Sequence, residues 1–87
     1  MARSEDAEES VHADVADISP LAWRLLRVAA GYEQRAIERE LDDLMQAHVS
    51  MLENGTRALS ASRRRELFDL YAAELDADQI RCIADNF

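Results

Sequence analysis

The chain contains two glycines, Gly31 and Gly55, and one proline, Pro20, and these three residues divide it. Each glycine follows an apolar-patterned segment, Pro20–Ala30 and Met45–Asn54, at the place where a helix C-terminus takes a left-handed residue. Between them lie two short helical patterns, Gln34–Leu41 and Met45–Glu53, separated only by Asp42, Asp43 and Leu44. Ala, Leu, Glu and Arg dominate, and no alternating run of Val, Ile and Thr marks a strand. The expected fold class is all-α.

Ser19 before Pro20 reads as an N-cap followed by a proline pre-set for the first helical position. Leu21, Leu25, Val28 and Ala29 give the first helix an apolar stripe that Trp23 and Leu26 widen. The second helix is expected to bury Ile37 and Leu41, an i, i+4 pair. The third is expected to bury Val49 and Leu52, leaving Gln46, Ala47, Ser50 and Met51 outward. Gly55, Thr56 and Arg57 lead to Ser60, which caps a fourth helix over Ala61–Leu75 with Leu67, Leu70 and Tyr71 inward and Phe68 nearby. Asp76 and Gln79 have capping-box spacing, and a fifth helix carries Ile80, Ile83, Ala84 and Phe87. Two short helices joined by a three- or four-residue turn form the helix-turn-helix layout, whose second helix can enter a DNA major groove.

At 87 residues and 9.8 kDa the chain holds one small domain. Residues 1–18 are polar, acidic and aperiodic and read as a disordered tail, leaving 19–87 as the folded domain. The net charge is −8 and the pI about 4.6, which opposes nucleic-acid binding at first sight. Much of the acidity is in the tail, where residues 1–19 hold one Arg against six acids; residues 20–87 hold nine Arg against twelve. Lysine is absent. An acidic, lysine-free, alanine-rich composition suits a halophilic cytosol, where surface carboxylates hold hydrated cations. Cys82 is the one cysteine, so no internal disulfide forms; on a helix it reads as a small buried hydrophobe. No membrane span or signal-peptide core is visible, and a soluble, cytoplasmic protein is expected.

The residues Leu26-Arg27, Ala30-Gly31-Tyr32, Gln34, Ile37 and Leu41, then Val49, Leu52-Glu53-Asn54-Gly55 and Ser60, resemble the phage-repressor (Cro/C1-type) helix-turn-helix family, XRE, over about Leu21–Ala73. With the acidic composition, the chain looks like a small haloarchaeal member. The resemblance implies a compact five-helix lambda-repressor-like domain that binds double-stranded DNA and regulates transcription, usually as a homodimer. It implies that Gln34 meets phosphate at the start of the second helix. Gln46, Ala47, Ser50 and Met51 would face the bases, and Asn54 and Thr56 would approach the backbone. Arg27 and Glu53 match a family ion pair that ties the first helix to the end of the third. Two residues depart from the pattern. Asp42-Asp43 fills a turn that normally carries a glycine and is one residue shorter, and Glu38 stands where alanine is usual.

The residues themselves carry matching chemistry. The Gln46 amide can pair bidentately with adenine N6 and N7, and Ala47 and Met51 can pack on thymine methyl groups. Arg57, Arg63, Arg64 and Arg65 form the one dense basic patch, suited to phosphate; Arg63 and Arg64 sit unfavourably for a helix N-terminus. Ile80, Ile83 and Phe87 are candidates for a dimer interface. Neither His12 nor His48 has a second ligand at metal spacing, no nucleophile–base pair is visible, and neither a cofactor nor catalysis is expected. The alternative is a protein-interaction module or an antitoxin-like partner-binding protein, favoured by Glu38, Asp42 and Asp43 near the expected phosphate-facing edge.

Overall fold

The computed structural model describes residues 15–87, which form five α-helices, with no strand among them. The helices are α1 (Pro20–Ala30), α2 (Ile37–Glu40, led in by a 3-10 turn over Gln34–Ala36), α3 (Gln46–Asn54), α4 (Ala61–Ala72) and α5 (Ala77–Asn86). Helix α1 is the hub, touching α3, α4 and α5.

Each boundary has a local cause. The Ser19 hydroxyl accepts from the Ala22 N–H at 3.0 Å and donates to the Phe87 main-chain oxygen at 2.8 Å, so one side chain starts α1 and holds the end of α5. Gly31 and Gly55 end α1 and α3 with φ of +92° and +75°. Ser60 accepts from the Arg63 N–H at 3.2 Å to start α4. Asp76 and Gln79 exchange bonds of 2.8 and 2.9 Å in a reciprocal capping box at the start of α5. Helix α4 ends at Ala72 rather than Leu75, because the chain tightens into i→i−3 bonds from Glu74 and Leu75 to Tyr71 and Ala72.

The core differs from the expected one in four places. On α1 the buried face is Ala22, Trp23 and Leu26, whereas Leu21 and Val28 are 47% and 58% exposed. Both stripes have helical spacing; the helix is rotated to bury the indole of Trp23, which meets Tyr71 edge-on at 6.4 Å. Leu44, assigned to the turn, is buried beside Ile37 in the core. The expected tail falls mostly on residues 1–14, outside the described residues, but Val15–Ile18 is folded: a 3-10 turn places Val15 and Ile18 in the core against α4. Their i, i+3 spacing puts both side chains on one side of that turn. Cys82 is exposed, not buried, because the inward face of α5 is set by Ile80 and Ile83.

The two glycines have unequal surroundings. A Cβ on Gly31 would meet nothing within 4 Å, whereas one on Gly55 would lie 3.3 Å from the Pro20 ring. Alanine at either site incurs the left-handed penalty of about 1–2 kcal/mol. Gly55→Ala is expected to lower the urea midpoint more than Gly31→Ala; the reverse order would contradict the Pro20 approach.

Candidate functional site

Behind α3 lies a buried ion pair. The Glu53 side chain is 3% exposed and that of Arg27 12%. Arg27 Nε donates to Glu53 Oε2 at 2.7 Å and its Nη2 to Oε1 at 3.1 Å, a two-pronged fit of guanidinium to carboxylate. Arg27 Nη1 also donates to the Tyr32 carbonyl at 2.8 Å, and Gln34 Nε2 donates to Glu53 Oε1 at 3.0 Å. The hydrogen bond that Arg27 donates to Glu53 holds the Arg27 pKa above its ordinary value against the opposing effect of burial. Four segments therefore meet at one ion pair: α1, the turn after it, the start of the second helical segment and the end of α3. The expected Arg27–Glu53 pair is present. Gln34, expected at phosphate, has its amide turned to Glu53.

With Val49, Leu52 and Glu53 buried, α3 presents Gln46 and Ala47 exposed and Ser50 and Met51 half-buried. Asn54 is exposed and its amide donates to Ser50 at 3.4 Å; Thr56 is exposed beyond the glycine. The N-terminus of α3 is capped from an unexpected quarter. Glu38 Oε2 accepts from the Gln46 N–H at 2.7 Å, so the carboxylate that stands where the family resemblance places alanine satisfies a free donor of the next helix. His48 Nδ1 accepts from the Met45 N–H at 3.0 Å. In the turn, Asp43 takes φ +64°, the left-handed conformation that a glycine would supply. The turn is therefore completed by aspartate chemistry in place of glycine.

The four patch arginines separate. Arg63 Nη1 donates to the Asp42 carbonyl at 2.8 Å and to Glu66 at 2.9 Å, and its Nη2 lies 3.6 Å from Asp43. Arg65 is 3.8 Å from Asp69 and 5.6 Å from the Phe68 ring centre. Arg57 and Arg64 have no carboxylate partner among the described residues and line one groove. A second cavity of about 280 Å³, lined by His48, Met51, Arg57, Leu59 and Ser60, opens beside the outward side of α3. Of the expected dimer residues, Ile80 is 3% exposed and belongs to the core, on the helix that packs against α1. Ile83 is partly buried against that core and Phe87 is exposed.

Sequence reasoning did not find the roles of Glu38 and Tyr71. An acidic side chain eight residues before a helix start is a weak signal, because only a tight turn brings it to the helix N-terminus. Tyr71 was expected inside, but its hydroxyl is buried without a hydrogen-bond partner, and burial pushes its pKa well above the usual value, with nearby Glu53 adding to the shift.

Fold and site define a small all-α domain whose third helix is presented outward and held from behind by a buried ion pair. The chain belongs to the family described as a domain of unknown function, DUF8599, whose pattern matches residues 12–64 and so takes in Arg27, Glu38, Glu53, Arg57 and Arg64. No curated protein and no solved structure matches it. Among the described residues, no helix is long and apolar enough to cross a membrane.

Glu53→Ala strands the Arg27 guanidinium and is expected to cost about 3–5 kcal/mol, most of the stability of a domain this size. An unfolding midpoint equal to the parent's would show that the pair carries no structural weight. Tyr71→Phe removes a buried hydroxyl that makes no bond and is expected to be neutral or stabilising at pH 7. Because the folded pKa of Tyr71 is raised, its contribution is intact below about pH 10 and is lost above it, as the unfolded chain's phenol ionises first. Tyr71→Phe should lessen that alkaline decline, read from urea midpoints between pH 8 and 11.

Proposed function

We propose that the protein is a sequence-specific double-stranded DNA-binding transcriptional regulator. On this reading α2 and α3 form a helix-turn-helix of the lambda-repressor-like, XRE type. The observation that carries the reading is the outward face of α3, where Gln46, Ala47, Ser50 and Met51 project on the side opposite Val49, Leu52 and Glu53. A nine-residue helix is about 13 Å long, a length that lies readily in a major groove about 12 Å wide. Gln46 occupies the first turn, the part of a recognition helix that meets base edges.

The buried ion pair supports the same reading, because it fixes the end of α3 against α1 and so presents its face rigidly. Phosphate contacts would come from Asn54, Thr56 and the arginines not already matched with carboxylates. Arg63 would act chiefly by holding the turn in place. As a homodimer, the protein would use the exposed Phe87 and the partly covered Ile83. The acidic surface suits a cytoplasm rich in salt, where cations held at Asp42 and Asp43 would bridge to phosphate.

A protein partner is the second reading, and one specific observation favours it. Glu38 places a carboxylate at the N-terminus of α3, where DNA binding would gain most from a free N–H. The two readings separate by fluorescence anisotropy of a labelled duplex from the gene's own promoter, in low and in molar KCl. The parent is expected to bind, and Gln46→Ala to lose about tenfold or more in affinity, with little loss on an unrelated duplex. Absence of binding by the folded parent at both salt concentrations would leave the protein-partner reading in its place.

A further inference from the structure

Arg57 and Arg64 differ from the two arginines that flank Arg64 in the patch. Arg63 and Arg65 each have a carboxylate oxygen within 4 Å, at 2.9 and 3.8 Å. Arg57 and Arg64 have none among the described residues. They line the same groove of about 180 Å³, over a floor made by Ile18, Pro20, Trp23 and Leu52. No carboxylate lines that groove, in a chain whose acids outnumber its bases by eighteen to ten.

One of the two arginines lining the groove also carries an unsatisfied donor. Arg64 Nε is buried and has no hydrogen-bond partner. A buried donor on a charged group without an acceptor is costly, and two guanidinium groups lining one groove with no carboxylate between them repel each other. Both costs fall if an oxyanion enters. Arginine suits this ligand because its planar fork matches the oxygens of a phosphate and its charge is permanent. Ile18 and Pro20 build one side of the groove, so the folding of Val15–Ile18 against the core is part of what makes it.

We propose that this groove is a phosphate seat, in which Arg64 turns its Nε–H to the anion and the Arg57 guanidinium is the second cation. It lies apart from the outward face of α3 and stands whether or not that face reads bases. The phosphate has two possible sources, the backbone of a DNA duplex and a free phosphorylated solute, and the two separate experimentally.

The test follows the arginine Nε–H resonances of the full chain by 15N NMR, with inorganic phosphate added at constant ionic strength. The Arg64 resonance is expected to shift saturably while those of Arg63 and Arg65 hold still. Arg64→Lys keeps the charge but removes the Nε–H, and should abolish the saturable response at Arg57. Linear, non-saturating shifts in the parent, or an unchanged Arg57 response in Arg64→Lys, would overturn the proposal. If Arg64→Lys fails to fold, Arg57→Lys takes its place: saturable phosphate affinity should weaken severalfold, and unchanged affinity overturns the seat. A promoter duplex added to the phosphate-loaded parent then identifies the source. Displacement of phosphate from Arg64 assigns the seat to the DNA backbone; a duplex that binds without disturbing Arg64 assigns it to a free solute. A parent that takes up phosphate but no duplex retains the seat while the α3 reading fails.

Discussion

The Glu53 carboxylate is the point on which the arrangement depends. It is the one charged side chain among the described residues that is buried overall, and taking a carboxylate out of water costs several kcal/mol unless its oxygens are matched. Arg27 and Gln34 together give it three donors. Those donors arrive from α1 and from the start of the second helical segment, while Glu53 itself ends α3. Hydrophobic packing of Val49 and Leu52 brings α3 to the core but tolerates sliding and rotation by a few degrees. A two-pronged guanidinium–carboxylate bond tolerates much less. The pair therefore contributes more to the orientation of α3 than to net stability, and that orientation decides how the outward face of α3 is presented.

Much of this was legible in the sequence. Caps are short-range chemistry: a hydroxyl or carboxylate three residues from an N–H, or a glycine after the last turn. Ser19, Ser60, Asp76, Gly31 and Gly55 accordingly mark their helix ends where the residues place them. The faces of α3 were legible from the helical spacing of Val49 and Leu52, and the Arg27–Glu53 pair from the family resemblance. What failed was the choice between two stripes of equal helical period on α1. Periodicity gives a face only up to rotation; the choice was made by Trp23 packing on Tyr71, 48 residues away in sequence. Val15, Ile18 and Leu44 were missed because each is an apolar residue in polar surroundings, with no periodicity of its own.

The turn between α2 and α3 shows how acidic residues substitute for the expected small ones. Asp43 takes a left-handed conformation, which aspartate tolerates better than most residues through local hydrogen bonding. Glu38 extends across to cap the helix that follows. Arg63 then bonds to the Asp42 carbonyl and sits by the Asp43 carboxylate, joining the start of α4 to the turn. Each contact is exposed and individually weak. Together they brace the outer side of a turn whose inner side Leu44 anchors in the core, and each uses a charge that composition alone would count as surface.

That use of charge bears on how an acidic chain can meet a polyanion. Each phosphate neutralised by a protein cation steepens the loss of affinity with salt by about 0.9 in log–log slope. Four free arginines would make binding steeply salt-dependent. With Arg63 and Arg65 already matched to Asp43, Glu66 and Asp69, two cations of that patch remain. On the DNA reading the patch then contributes a slope of about 2 rather than 4. Affinity must come instead from contacts that salt screens weakly: the Gln46 amide, the apolar surfaces of Ala47 and Met51, and a donor at Arg64 whose desolvation is already complete before any ligand arrives. Internal pairing of arginines thus lowers the electrostatic share of binding and leaves the chain less dependent on dilute solution, which is the physical compromise that an acidic, lysine-free binder in strong salt would require.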